Sequence, residues 1–506
     1  MSTTNPLTHP AAADAVTVDE LCEHLGTLGR DDTALLCDFA RLFFARVPRQ
    51  LLQERTAAEL GAMTVGAWEF LRRARPDQVN AEVVDPRDEG WKAPVTVLRA
   101  EVGDRPFIVD SIREYLTGEG IHILHYIYPV LSVRRDESGV ITAVGGTQEN
   151  GALEALTHVE IPHVARPERR AEIAQQVRRR LADVVEATRD FKAMEAAVEA
   201  VAAKVEGYAA RFADRRAEYE EIVAFLRWLK EGNFIFLGHR AYDLQGAGDQ
   251  VRIAVEPGSG LGILSEEERS AYHAPRPVAE LPAEFRARVV GGPLLIVSKA
   301  NREATVHRRE RMDYVGVKKL DDAGNVVGEW RFLGLFTTQA HSQNPAEIPI
   351  LRHRLSYILD QASARPGSHD YKEIVSIVQS MPKDELFQAS PDDLREEVGT
   401  ALSNIFTDEV RVVVRRDPLR GGVAVLVILP RGRFSGEARQ RVTDLLQRRI
   451  GGTVLSAHTA FGDGDQARLY FFFSTPGGPA EVDAEEIEEE VVRLIRSWED
   501  RLRDAL

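Results

Sequence analysis

No proline interrupts residues 168–231, a stretch rich in Ala, Glu, Arg and Lys. No other feature of the chain limits its fold as much. Residues that lose little freedom in a helix, uninterrupted by the one residue that breaks it, predict one or two long helices. The second ends in EIVAFLRWLKEG, and the many charges read as a solvated face. Strand-type sequence lies on both sides. The 506 residues are enough for roughly three to four domains of ordinary size.

Ahead of the helical stretch, residues 1–15 read as a disordered leader without the basic-then-apolar order of a signal peptide. Residues 16–78 form an N-terminal helical segment: DELCEHLGTL, TALLCDFARLFFARV and QLLQERTAAELGAMTVGAWEFLRRA carry apolar residues at helical spacing, punctuated by Pro48 and Pro76. Residues 79–163 change character. AEVVDP and PVTVLRAEV read as strands, 106–120 as a helix closed by Gly118 and Gly120, and 122–135 as one long strand. The turn at 136–139 leads into VITAVGG, and LEALTHVEI is a further strand. His122 and His125, three apart on that long strand, point to opposite faces and do not share a metal.

Linking helices occupy 164–224. Residues 225–342 return to strands: FIFLGHRAYDL, QVRIAV, PLLIVSKA, ATVHRR, DYVGVKKLD and GEWRFLGLFTTQA, with a hairpin turn at Asp321–Asn325. A helical linker covers 343–408, with helices at 346–364, 370–380 and 391–406. A second mixed unit covers 409–475, and 476–506 is an amphipathic helix whose uncapped end reads as leading into further domains. The units at 79–163 and 409–475 share an order of elements and form a weak internal repeat. Each predicts an antiparallel sheet with helices on one face only, Val412, Val414, Val425, Val427, Leu469 and Phe471 pointing inward in the second. The fold class is α+β, multidomain.

The formal net charge of −15 argues against nucleic acid and against an anionic membrane surface as partners. No run approaches the ~18 apolar residues of a membrane span. Two cysteines, Cys22 and Cys37, with no C-x-x-C pair, fit bystander thiols in a reducing cytoplasm. Phosphate-loop, zinc-protease and nucleophile-elbow motifs are absent from the sequence. Gly258, Gly260 and Gly262 in PGSGLGIL have the wrong spacing for a dinucleotide fingerprint and read as a connector. No catalytic, cofactor-binding or metal-binding residue is assigned.

Two helix starts and one strand remain as effector-binding or interface candidates. In GDRPFIVDSI, Pro106 begins a helix whose first N–H groups are unpaired; they can hold a carboxylate, or Asp104 can cap them, with Arg105 and Phe107 adjoining. In PRGRFSGEARQ, Ser435 can cap the helix that Gly436 begins, and Arg431 and Arg433 can receive an amino-acid carboxylate. His307 and Arg308, beside Arg309 and Arg311, make an anion-binding strand or a charged outer face, and Arg415, Arg416 and Asp417 read as a charged outer face.

At these residues the chain resembles the N-terminal region of the large bacterial NAD-dependent glutamate dehydrogenases. The strings that carry the resemblance include DRPFIVDSIREYLTGEGIHILHYIYPVLSVRRD, FLRWLKEGNFIFLGHRAYDL, SKANREATVHRRERMDYVGVKKLDDAGNVVGEWRFLGLFTTQA, EIPILRHRLSYIL, PGSHDYKEI and VRRDP. The resemblance implies ACT-like (ferredoxin-like) units at 79–163 and 409–475 and a PAS-like unit at 225–342, joined by helices. It implies a catalytic region with a Rossmann domain further along the same polypeptide, where NAD and the catalytic lysines belong. The whole enzyme would convert L-glutamate, NAD and water to 2-oxoglutarate, ammonium and NADH. A homo-oligomer and an amino-acid effector are implied partners. Many ACT units have a glycine after the helix-starting proline. Phe107 stands there in this chain, which favours packing over ligand binding at the first unit. The alternative is a free-standing ACT/PAS amino-acid sensor.

Overall fold

The computed structural model describes residues 15–75, 77–91, 93–246, 248–281, 283–417, 420–462, 465–475 and 481–495. It divides into two compact units: Met1–Arg189 with Ala304–Glu310, and Asp190–Glu303 with Arg311–Leu506. The leader, apart from Ala15, lies outside the described residues, as does the end of the C-terminal helix.

In the first unit, helices α1 (Val18–Gly26), α2 (Thr33–Phe43), α3 (Arg49–Gln53) and α4 (Ala57–Arg73) come first. Thr17 and Thr56 each open a helix with a reciprocal capping box, through Glu20 and Glu59. The sheet follows: β1 (Asn80–Val84), β2 (Val95–Gly103), β3 (His125–Ile127), β4 (Val130–Arg135), β5 (Ile141–Gly145) and β6 (Ala152–Pro162). Its order is β1-β2-β6-β4-β5, with β3 also on β6. Helices α5 (Ile108–Gly118) and α6 (Pro167–Arg189) complete the unit. Val97, Leu131, Val133 and Leu156 pack on Leu36, Phe39, Met63 and Trp68 of the N-terminal helices. On the opposite face Leu98, Ala100, Val159 and Ile161 are buried, α6 lies against β1 and β2, and α5 packs on α6.

The run 122–135 is not one strand. Tyr128 and Pro129 separate β3 from β4, because proline cannot donate to the ladder, and His122 falls before β3. Helix α5 begins at Ile108 and not at Pro106.

The proline-free stretch gives three helices: α6, α7 (Phe191–Arg211) and α8 (Arg216–Trp228). Their breaks, at Asp190 and around Phe212, carry no proline or glycine. Gly232, with φ of 80°, turns α8 into the next sheet. Its strands are β7 (Phe234–Gln245), β8 (Arg252–Val255), β9 (Leu261–Gly262), β10 (Arg276–Pro277), β11 (Leu295–Glu303), β12 (Arg311–Leu320) and β13 (Val326–Phe336). The order is β10-β8-β7-β13-β12-β11, with β9 on β7 and α9 (Ala283–Val290) ahead of β11. ATVHRR is a loop between β11 and β12, not a strand. Phe236, Val315, Val317 and Phe332 share a core with Tyr219, Ile222 and Phe225 of α8.

Helices α10 (Thr338–Ser342), α11 (Leu351–Gln361), α12 (His369–Ser380), α13 (Lys383–Gln388) and α14 (Pro391–Ser403) follow. The last sheet has β14 (Arg411–Asp417), β15 (Gly422–Pro430), β16 (Thr453–Phe461) and β17 (Gln466–Ser474), ordered β14-β15-β17-β16, with helices α15 (Gly436–Ile450) and α16 (Ala484–Ile495). Val425, Val427, Leu469 and Phe471 point together at Val442, Leu446, Ile487 and Val491, as alternation requires.

The expectation of helices on one face only fails in both units. Leu426, Ile428 and Tyr470 pack with Leu394, Val398 and Ala401 on the other side of the last sheet. The reason is visible in GVAVLVILP, which is apolar at every position and buried throughout. The first sheet has the N-terminal helices as its second cover.

The two sheets share one plan. In each, a strand and a helix are followed by returning strands, β3 to β6 in the first and β16 and β17 in the last, and then by a second helix; the first strand lies beside the last. The edge place next to that strand belongs in both to the strand just before it in sequence, β1 or β14.

Candidate functional site

Asp104 does not cap α5. Its N–H donates to the Leu153 carbonyl at 2.8 Å, and no side chain caps the helix. Pro106 lies in the turn ahead of the helix. Arg105 Nε donates to the Gly103 carbonyl at 2.9 Å. Phe107 holds φ at 74°, a left-handed conformation that costs a non-glycine residue about 1 kcal/mol or more.

His307, also left-handed at φ of 69°, meets that position. The two rings are 5.2 Å apart. His307 N–H donates to Ser111 Oγ at 3.0 Å, and its Nδ1 lies 3.0 Å from the Asp110 carboxylate. Thr305 Oγ1 donates to Asp183, and Arg308 pairs with Glu310 at 2.6 Å. A Cβ built on Gly118 would stand 2.8 Å from the Arg309 guanidinium. The loop 304–310 is thus fastened along α5 from its first turn to its last. Candidates about 200 positions apart in sequence come together here, as packing.

The second helix start is built differently. Ser435 Oγ accepts the Ala438 N–H at 3.0 Å and caps α15 itself. The Arg431 guanidinium sits 5.2 Å from the Phe461 ring, whereas Arg433 is partly buried. Arg431, Ser435 and Gly436 are exposed, so these four candidates adjoin one another at the surface.

Beneath each of these two sheets lies a buried ionic layer. In the first, Arg99 bridges Glu82 at 3.0 Å and Glu89 at 2.6 Å, and Arg135 pairs with Glu154 at 2.9 Å. Asn80 donates to Glu101 at 2.7 Å, but the other Glu101 oxygen is buried without a partner. Burial, then the nearby Glu154 charge, pushes the Glu101 carboxyl up to about 8. Both His158 ring nitrogens are buried without partners, and burial holds the imidazole neutral, well below its usual range.

In the last sheet, Arg415 meets Glu385, Glu397 at 3.3 Å and Asp417 at 3.6 Å, and Arg420 meets Glu385 at 2.8 Å. Arg415 and Asp417 are therefore interior groups and not an outer charged face, whereas Arg416 is exposed. Burial raises Glu397 to about 7, against the pull of Arg415.

The glycines of PGSGLGIL are connectors. Gly262 N–H donates to the Asp190 carboxylate at 2.8 Å and Gly258 N–H to Glu267 at 2.6 Å. A Cβ on Gly262 would reach 2.3 Å from the Leu237 carbonyl oxygen, so glycine is required for close backbone approach. Cys22 and Cys37 each direct Sγ at the other's carbonyl, at 3.9 and 3.8 Å, and burial raises the Cys22 thiol to about 11, which leaves it a poor nucleophile.

One cavity with a charged end is not singled out by the sequence. A cavity of about 340 Å³ opens on the face of the β7–β13 sheet opposite its core. Leu244, Ile253, Leu281, Val289, Ile296 and Leu333 give it apolar walls. At one side Glu329 accepts from Lys318 at 2.7 Å, from Arg331 at 3.3 Å and from the Tyr314 hydroxyl. The Arg331 guanidinium lies 4.3 Å from the Tyr242 ring centre and 5.1 Å from that of Tyr314. Burial opposes the Glu329 charge, but Arg331 and Lys318 outweigh it and hold the carboxyl below its usual range. The signal was Glu329 and Arg331 two apart on one strand with Lys318 opposite Glu329 on the next, which puts three charges on one sheet face.

Among the described residues no helix is long and apolar enough to cross a membrane. Residues 39–177 match the family model for the ACT1 domain of glutamate dehydrogenase, 348–403 its helical motif 1, and 411–499 its ACT2 domain. The NAD-specific glutamate dehydrogenase of Halomonas elongata is 31% identical over 489 residues, 94% of this chain and 30% of the relative. That of Pseudomonas aeruginosa is 28% identical over 489 residues, 95% of this chain and 30% of the relative. That of Mycobacterium tuberculosis is 27% identical over 433 residues, 82% of this chain and 25% of the relative. The chain thus spans about 30% of the length of the first two relatives. With its ACT1, helical-motif and ACT2 regions in that order, the chain belongs to the N-terminal region of the NAD-specific glutamate dehydrogenase family.

Proposed function

We propose that the chain is the regulatory and assembly region of an NAD-dependent glutamate dehydrogenase. The whole enzyme would oxidise L-glutamate with NAD and water to 2-oxoglutarate, ammonium and NADH in the cytoplasm, and the catalytic region that binds NAD would lie further along the polypeptide. The seven-stranded sheet with its flanking loops is the PAS-type module, at about 225–342. The ACT-type units at 79–163 and 409–475 work chiefly as packing surfaces in a homo-oligomer. The observation that carries this reading is the loop 304–310 fastened to the start of α5, where His307 and Phe107 fill the place a small effector would need. Ser435, Gly436, Arg431 and Arg433 are the place left for an amino-acid effector.

The purified chain should form no NADH from glutamate and NAD, and should self-associate in sedimentation equilibrium. NADH formation that scales with the chain, or a monomer at all concentrations, would overturn the respective half of the reading. Calorimetric titration with aspartate and glutamate tests the effector role. Heat that Arg433→Ala abolishes without unfolding the domain supports it, and no heat at millimolar ligand leaves assembly alone.

A further inference from the structure

We infer that the cavity on the seven-stranded sheet is a binding site for a small organic monoanion, a carboxylate carried on an apolar ring or branched body. Three observations converge on that chemistry. The space, about 340 Å³, falls within the range that encloses small metabolites. Its walls are mainly aliphatic, which selects an apolar body.

The charged end supplies the third. Among the described lining residues, Lys318 and Arg331 face one carboxylate, that of Glu329, so the cluster carries one uncompensated positive charge. Lys299 also lines the cavity, but two carboxyl groups, Asp313 at 2.7 Å and Asp384 at 3.3 Å, engage it, so it offers no spare positive charge. Arg331 keeps 23% of its side-chain surface accessible, and its Nε is buried without a hydrogen-bond partner. A guanidinium with five donors, clamped between two tyrosine rings and donating to the Glu329 carboxylate and the Tyr242 hydroxyl, each at 3.3 Å, keeps donors for a second carboxylate. Gly316 makes room for this: a Cβ there would lie 2.8 Å from the Tyr314 ring.

No bond is made or broken, so the site is one of recognition. A cavity that refused such acids would leave the regulatory reading standing, and a catalytically active chain would leave the cavity's chemistry untouched.

The test titrates the whole chain with 3-phenylpropionate and 4-methylpentanoate, each paired with its neutral amide, by calorimetry and thermal shift. The acids should bind with Kd below about 1 mM, and the amides at least about tenfold more weakly. Arg331→Met should weaken the acids about tenfold or more and leave the amides little changed. Leu244→Trp fills the apolar end without touching the charged cluster, and should weaken acids and amides alike. It carries the test if Arg331→Met does not fold. Failure of every acid to bind at about 10 mM, equal binding of acids and amides, or binding that survives Leu244→Trp would each overturn the proposal.

Discussion

The two ACT-type units share the core of one strand order, with β3 and β5 added in the first, and then use it in opposite ways. In the first, the helix after the first strand starts at a strained Phe107 and is fastened along its length by residues 304–310. In the second, the equivalent helix starts at Gly436, is capped by Ser435, and leaves its first turn exposed. The ionic layers differ as well. Around Arg415 and Arg420, three carboxylates meet two guanidinium groups, and Arg420 Nε is left without a hydrogen-bond partner. Around Glu101 and His158, buried polar atoms stand without partners. Topology therefore fixes where a helix begins and which face is covered, but not whether that place is sealed or open, nor how charge is matched beneath it.

The sharpest way to break the comparison is to unpair the matched layer. Arg415→Ala leaves Glu397 buried without its guanidinium and Glu385 with Arg420 alone, and should cost the last sheet about 3–5 kcal/mol. Denaturant unfolding followed by probes in that unit reads it; a loss below about 1 kcal/mol would mean the layer is wet and only weakly coupled.

The unmatched layer should respond in the reverse sense and with pH. Glu101 keeps its proton in the folded chain up to about pH 8, whereas the unfolded chain loses it near its ordinary value. Between those limits the folded state binds the extra proton, so Glu101 erodes stability as pH rises. Glu101→Gln should stabilise by about 1–3 kcal/mol near pH 9 and by little near pH 5. His158 has the opposite sign: its folded value is lowered, so its contribution is present above its ordinary value and lost as pH falls below it. Melting curves against pH for both proteins check this, and a gain for Glu101→Gln that did not grow with pH would remove burial as the cause.

A smaller effect should follow from unsealing the first helix start. His307→Ala removes the ring contact with Phe107 and the pairing with Asp110, which is partly exposed. About 1–2 kcal/mol should be lost, with faster amide exchange confined to residues 304–310 and the first turn of α5. Unchanged exchange there would show that the fastening at Ser111 and Thr305 holds the loop alone.

The smallest belongs to the open helix start. Ser435→Ala should cost about 1 kcal/mol, the ordinary value of a lost cap. A larger loss would mean that Ser435 supports more than the Ala438 N–H.

The amino-acid sequence determined the order of elements wherever local pattern suffices. VRVVVRRD, GVAVLVILP and ARLYFFFS are strands because β-branched and aromatic residues fit the pleat, and DDAGN turns because Asp321 accepts the Ala323 and Asn325 N–H groups locally. Local pattern also placed the cap at Ser435. Tertiary structure alone decided what covers each face. ATVHRR has strand composition, yet it is a loop, because its partners are Asp110, Ser111 and Asp183, far away in sequence. Arg415 reads as a surface charge until α13 and α14 bring carboxylates to it. The cavity exists only where β7, β12 and β13 lie side by side and place Tyr242, Lys318, Glu329 and Arg331 on one face. Periodicity names the residues that share a face. It carries no information about the element that will meet that face, because the contact is made between segments whose separation along the chain leaves no trace in either segment's own spacing.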